Sequence, residues 1–165
     1  MPKPSVLIIV AILALDRFTK WLVIQKIPLY SGISIIPGFF RLTHLENTGA
    51  AFSLFADSPS PWAARLLVLF SLMAVIVISA LLWKSKGKIN FTTASLALVL
   101  GGALGNLWDR LIHGQVTDFA DVYIGSHHWP PFNVADSAIV VGAVFLAGRA
   151  LFASAKTKDG GWQRK

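Results

Sequence analysis

From Leu66 to Trp83 the chain runs LLVLFSLMAVIVISALLW without a single charge. With its flank from Trp62, that stretch is long enough to cross a hydrocarbon core of roughly 30 Å at about 1.5 Å per helical residue. Three further apolar stretches accompany it, at about Ser5–Ile24, Phe91–Trp108 and Val134–Phe152. Composition agrees, since 55% of the 165 residues are hydrophobic and 14% charged, against roughly a quarter charged in a soluble domain. The mean hydropathy is +0.62. These figures argue against a disordered chain and against a soluble globular domain. The expectation is an all-α integral membrane protein with four transmembrane helices (about 5–24, 62–83, 91–108 and 134–152). Residues 1–155 form its single domain, followed by a basic, disordered tail over 156–165.

The first stretch differs from the others, because Asp16, Arg17 and Lys20 interrupt it. Lys3 and the apolar run from Val6 to Leu15 resemble a signal peptide. No small-x-small cleavage site follows, however, and the apolar pattern resumes as WLVI after the charges. The segment reads as a retained helix.

A net charge of +7 invites a nucleic-acid partner, but the cations fall elsewhere. Nine of the fifteen sit at Lys3, at Lys84, Lys86 and Lys88, and at Arg149, Lys156, Lys158, Arg164 and Lys165. They form no basic stripe interleaved with stacking aromatics. Clusters at these loop and end positions instead set topology by the positive-inside pattern. Both termini and the 84–90 loop are then cytoplasmic, and no nucleic-acid binding is expected. Residues 25–61 and 109–133 face the other side. Within the first of these, IPLYSGISIIPGFFRLTHL reads as short β-segments punctuated by Pro28, Gly32, Pro37 and Gly38.

Seven of the eight acids lie on or near that outer side: Asp16, Glu46, Asp57, Asp109, Asp118, Asp121 and Asp136. Asp16 would sit about 17 Å along its helix, in the outer half of the bilayer. Asp109 ends the third span and Asp136 begins the fourth. A carboxylate in or beside hydrocarbon is costly, so such residues face partners or a water-filled cavity. Spacing adds detail. Asp16 and Lys20 stand in the favourable acid-first order for an i,i+4 ion pair, and Asn106, Asp109 and Arg110 share one helical face. Asn133 and Asp136 are three apart at a helix start, where a carboxylate meets the positive helix end. Gly101, Gly102 and Gly105 permit close helix approach.

Other chemistries can be pruned. The absence of cysteine removes disulfides, thiolate metal sites and cysteine nucleophiles. No HExxH motif occurs, and His127-His128 lacks a spaced third ligand, so no metal site is expected. Nucleophile-elbow and phosphate-loop signatures are also missing. What survives is carboxylate chemistry.

Five blocks in order carry a resemblance: DRFTK at 16–20, NTGAAF at 47–52, GGALGNLWDRL at 101–111, VTDFADVY at 116–123 and FNVADSAI at 132–139. In these blocks the chain resembles lipoprotein signal peptidase (signal peptidase II), a family of bacterial membrane aspartic endopeptidases. The resemblance implies four membrane helices with a small extracytoplasmic β-cradle and a short surface helix, in the bacterial cytoplasmic membrane. It implies removal of signal peptides from prolipoproteins by hydrolysis before a diacylglyceryl-modified cysteine, by a lipid-embedded monomer without metal or organic cofactor. The family's catalytic pair falls on Asp118 and Asp136. Its substrate-binding or site-supporting positions fall on Asp16, Asn47, Gly49, Asn106, Asp109, Arg110 and Asn133. Thr117 departs from the valine common beside the catalytic acid.

For several of these residues a second reading stands beside that one. Asn106 and Asn133 either orient the acids or hydrogen-bond between helices. Asp109 and Arg110 read as a mutual or interhelical ion pair, and Asp16 as tied through Lys20 or backbone. Asp121 reads as a solvated loop acid, three residues from Asp118 and first in line to substitute for it. Phe52 reads as an interface anchor. A proton-coupled transporter would also hold intramembrane acids, but near the midplane and with repeat halves. Here the acids crowd one side and no repeat is visible. In a purely structural membrane subunit, Asp118 and Asp136 would be dispensable.

Overall fold

The computed structural model describes residues 1–49, 61–85, 87 and 89–159. Among these residues are four helices, α1 (Lys3–Lys26), α2 (Pro61–Lys84), α3 (Phe91–His113) and α4 (Val134–Asp159), with one pair of strands between α1 and α2 and another between α3 and α4. The strands β1 (Gly32–Ile36), β2 (Phe40–Asn47), β3 (Val116–Ile124) and β4 (His127–His128) form one antiparallel sheet in the order β1-β2-β3-β4. The β-segments expected between residues 25 and 61 are β1 and β2. Strand β3 lies in what the sequence alone leaves as an outer connection. No short surface helix occurs among the described residues; 50–60, which include Phe52 and Asp57, lie outside them.

Among the described residues, three helices are long and apolar enough to cross a membrane: Ala64–Lys84, Phe91–His113 and Val134–Leu151. Along α2, Leu66, Leu69, Phe70, Met73, Ile76 and Val77 are all exposed on the molecule's surface. A helix apolar on every face needs a hydrocarbon surrounding rather than water. The chain is therefore a multi-pass membrane protein. Helix α1 matches the others in length, with 24 residues, but Asp16, Arg17 and Lys20 break its apolar run.

Helix α3 is the hub, packed against α1, α2 and α4. It starts at a reciprocal capping box between Asn90 and Thr93. It runs five residues beyond the expected end at Trp108, because the polar Asp109 and Arg110 find partners within the fold. Gly114, at φ 74°, closes it by returning its N–H to the Arg110 carbonyl, the left-handed cap that glycine adopts without steric cost. Helix α4 continues to Asp159, so the expected disordered tail is helical over its first residues, while 160–165 lie outside those described.

The glycines of α3 set the helix spacing. A Cβ at Gly102 would lie 2.2 Å from the carbonyl oxygen of Ala135 in α4, and one at Gly105 would lie 2.9 Å from a carboxylate oxygen of Asp16. Two apolar clusters flank this contact. Ile9, Leu82, Ala97 and Leu100 join α1, α2 and α3. Val23, Ile27, Phe119 and Ala120, with Phe40, Leu42, Phe132 and Val134 around them, seat the sheet on the ends of α1 and α4.

Candidate active site: a carboxylate pair where sheet meets helix

Asp118 leaves the middle of β3, whose register sets it opposite Leu45 of β2. Asp136 sits in the first turn of α4. Both line one cavity of about 380 Å³, together with Asn47, Asn106 and Arg110 at its polar end. Trp129, Pro130, Pro131 and Phe132 form one wall, and Ile139, Val140 and Val141 extend the lining along α4. The cavity is polar where the acids meet and apolar along the helix.

Each acid is held by donors on both oxygens. Asn47 Nδ2 donates to Asp118 Oδ2 at 2.9 Å, and Asn133 Nδ2 donates to Asp118 Oδ1 at 2.8 Å. Asn106 Nδ2 donates to Asp136 Oδ1 at 2.7 Å, while the backbone N–H of Asn133 reaches Asp136 Oδ2 at 3.2 Å. Asn133 Oδ1 in turn accepts the Asp136 N–H at 2.9 Å. That reciprocal pair is a capping box, so the bonds that start α4 also fix its acid. Asn133 therefore bridges the two carboxylates, and the position three residues before Asp136 gains a physical reason.

Burial pushes the Asp118 carboxyl up to about 7, and the negative charge of Asp136 adds to the rise; the donors of Asn47 and Asn133 oppose it. A buried carboxyl beside a second one resists ionisation, and the pair keeps a proton near neutral pH. Such a pair holds a general base and a general acid in one place.

The remaining candidates separate by partner. Asp16, fully buried, accepts the Ala135 N–H at 3.1 Å and the Lys20 ammonium at 2.9 Å. Its tie through Lys20 and backbone is as expected, and it fastens α1 to the start of α4. Asp109 forms the interhelical ion pair, with Lys20 at 2.7 Å and with Arg17. Arg110 does not join it; its guanidinium turns to the Gly49 carbonyl at 3.1 Å and lines the cavity. Gly49 returns its N–H to Asn47 Oδ1 at 2.8 Å, closing a turn beside Asp118. Lys20, which stands outside the expected site residues, donates to three of them, Asp16, Asn106 and Asp109; a cation in an apolar helix is a signal in itself.

Asp121 departs from expectation. It is not a solvated loop acid but a fully buried one, bound by Arg41 Nε of β2 and by His128 Nδ1 of β4 at 2.9 Å. Three residues along a strand reverse the face, so Asp121 points away from the side that Asp118 occupies. His128 also stacks on Tyr123, with ring centroids 5.0 Å apart. The expected result for Asp121→Asn is an activity within about threefold of the parent, with stability lowered by about 1–2 kcal/mol, since Arg41 and His128 can turn to water. Parallel turnover and thermal-unfolding measurements check this.

Fold and site together define a multi-pass membrane protein built around an aspartate pair that lines one cavity. A family model described as Signal peptidase (SPase) II matches residues 8–152, and the chain belongs to that family of proteases. It is 49% identical to the lipoprotein signal peptidase of Solibacter usitatus over 82% of each chain. Against that of Maridesulfovibrio salexigens it is 45% identical, over 83% of this chain and 88% of the relative. A solved bacterial membrane enzyme superposes with a TM-score of 0.79 at 25% identity, covering 98% of this chain and 93% of the other. A second, at 26% identity, gives the same TM-score over 90% and 92%.

Proposed function

We infer that this membrane protease removes signal peptides from prolipoproteins by hydrolysing the bond before a diacylglyceryl-modified cysteine, with Asp118 and Asp136 as its catalytic pair. The observation that carries this reading is the shared cavity: the buried Asp118 and the half-buried Asp136 at its polar end and an apolar wall along α4. The polar end suits a peptide bond and a water molecule. The apolar lining suits a substrate whose signal segment and lipid chains stay in the bilayer.

In this reading the ionised acid takes a proton from water as its oxygen attacks the scissile carbonyl, and the protonated acid hydrogen-bonds the carbonyl oxygen. The tetrahedral intermediate collapses as a proton passes to the leaving nitrogen of the cysteine. Which acid holds the proton at rest is a property of the pair. Asn47, Asn106 and Asn133 orient the acids, and Arg110 with Gly49 shapes the peptide-binding edge. Asp16 and Asp109 support the site from α1 and α3. The step needs no metal or organic cofactor.

Helix α1 is the fourth crossing in this reading, its charges facing α3 and its apolar side facing lipid. Leu7, Val10, Phe18 and Trp21 are exposed along it, while Asp16 and Lys20 are buried. Residues 1–155 act as one peptidase domain, with 156–165 as a basic cytoplasmic tail. The chain works as a monomer in the bacterial cytoplasmic membrane, with both termini inside and the carboxylate pair near the outer face. Lateral diffusion then brings substrate to a site that reaches water from outside.

A gel assay tests the specificity. Purified protein is mixed with one precursor prepared with and without its diacylglyceryl group. The expected result is cleavage of the lipidated form alone; equal cleavage of both would replace this specificity with general intramembrane proteolysis.

A further inference from the structure

We propose that Lys20 is a positioning residue for the carboxylate pair, its ammonium fixing which end of the Asn106 amide faces Asp136. The inference rests on the reading of Asp118 and Asp136 as the catalytic pair, and it adds a residue from a third helix to that site.

Lys20 is 2% exposed and points from α1 into α3. Its Nζ donates to Asp16 Oδ2 at 2.9 Å, to Asp109 Oδ2 at 2.7 Å and to Asn106 Oδ1 at 3.3 Å. An ammonium has three donors and no acceptor, so only the oxygen end of Asn106 can face it. Asn133 Nδ2 adds a second donor to the same oxygen at 3.3 Å. The nitrogen end is thereby left for Asp136, at 2.7 Å. Turning the amide over would set NH₂ against two donors and oxygen against a carboxylate, three unfavourable contacts in a buried place.

The two acids bound to Lys20 hold the ammonium in turn. Arg17 braces Asp16 and Asp109 from the more exposed side, so two cations and two anions balance. The charged groups that face Lys20 are Asp16 from α1 and Asp109 from α3, with Arg17 sharing both acids, and the Lys20 charge is felt by Asp118 from β3 and Asp136 from α4. Its positive charge favours the ionised form of the carboxylate pair beyond Asn106. Lys20 thus acts on the chemistry twice, by the amide it orients and by the charge it brings.

The test uses the purified full chain and a lipidated precursor. Lys20→Met strands two buried acids and risks misfolding, so Lys20→Met/Asp109→Asn, which keeps the cluster neutral, is measured beside it. The expected result in the folded double variant is a kcat lower by about 10- to 100-fold, since misplacing a reacting group by about 1 Å costs on the order of 100-fold, with KM within about twofold. The limb of the pH–rate profile assigned to the pair moves to higher pH. At the pH optimum of each variant, the triple variant with Asn106→Leu turns over no more slowly than Asn106→Leu alone, because the orienting effect runs through that amide, while the shift of the pH limb persists because the charge effect does not. Parental kcat and pH profile in the folded double variant would overturn the proposal. So would a loss that multiplies with Asn106→Leu and leaves the pH profile in place, which is the mark of a merely structural role. Failure of this proposal alone leaves Asp118→Asn and Asp136→Asn inactive; activity in both of those variants would remove the pair itself and this inference with it.

Discussion

Replacing Asp118 or Asp136 by asparagine lowers turnover of a lipidated precursor by about 10³-fold or more, while the protein still accumulates folded in the membrane. The magnitude follows from the pair acting as one unit. General acid–base assistance is worth about 10²–10⁴, and either substitution removes both halves, because a neutral amide can neither take the proton from water nor share it. Stability separates this result from misfolding. A carboxyl raised to about 7 in the fold is ionised more readily in the unfolded chain. Its contribution to stability is therefore present at low pH and lost as pH rises from the unfolded value of about 4 through 7. At pH 7.5, Asp118→Asn unfolds at or above the parental temperature. The measurement is cleavage of precursor by each purified variant beside its thermal unfolding. Substantial turnover by both would remove the pair from the reaction.

The second large effect is at Gly102, which carries no titrating group itself. A methyl there meets the Ala135 carbonyl oxygen at 2.2 Å and Ile139 Cγ1 at 2.8 Å, where ordinary contact needs about 3.5 Å or more. The obstacle is backbone, so the first turn of α4 must move, and Asp136 is the next residue along it. Alanine gains about 1 kcal/mol of helix propensity over glycine, but overpacking of this kind costs about 1–3 kcal/mol and sometimes more. The clash wins. Misplacing a reacting group by about 1 Å costs on the order of 100-fold in rate, so Gly102→Ala loses about that much kcat/KM and unfolds at lower temperature. Gly148, whose added Cβ would meet nothing within 4 Å, is the control: Gly148→Ala stays near parental in both. Parental activity and stability in Gly102→Ala would mean that α3 and α4 do not meet as described.

Much of this was legible in the residues. Long apolar runs name α2, α3 and α4 directly, because hydrocarbon tolerates few charges and the helix must satisfy its own backbone. The pairing of Asp118 with Asp136 came from the five-block resemblance, and the three-residue spacing of Asn133 and Asp136 already marked a helix start. What could not be read were partners distant in sequence. Asp121 looks solvated in VTDFADVY because Arg41 lies on another strand and His128 arrives from a separate short one. Arg110 looks like a partner for Asp109 by proximity, yet helix geometry sends one to α1 and the other to the Gly49 carbonyl. Lys20 reads as half of a local pair with Asp16; that it also reaches Asp109 and Asn106 depends on how closely α1 meets α3, which Gly101 and Gly105 permit. Local chemistry was visible, and convergence was not.

Convergence on one shared proton is what the pH dependence of kcat/KM measures. With lipidated precursor, the rate is expected to follow a bell: low in acid, where both carboxyls are protonated, and falling tenfold per pH unit once the pair loses its held proton, above about 7. A rate that stays level from pH 6 to 9 would contradict a carboxylate pair working through a single held proton.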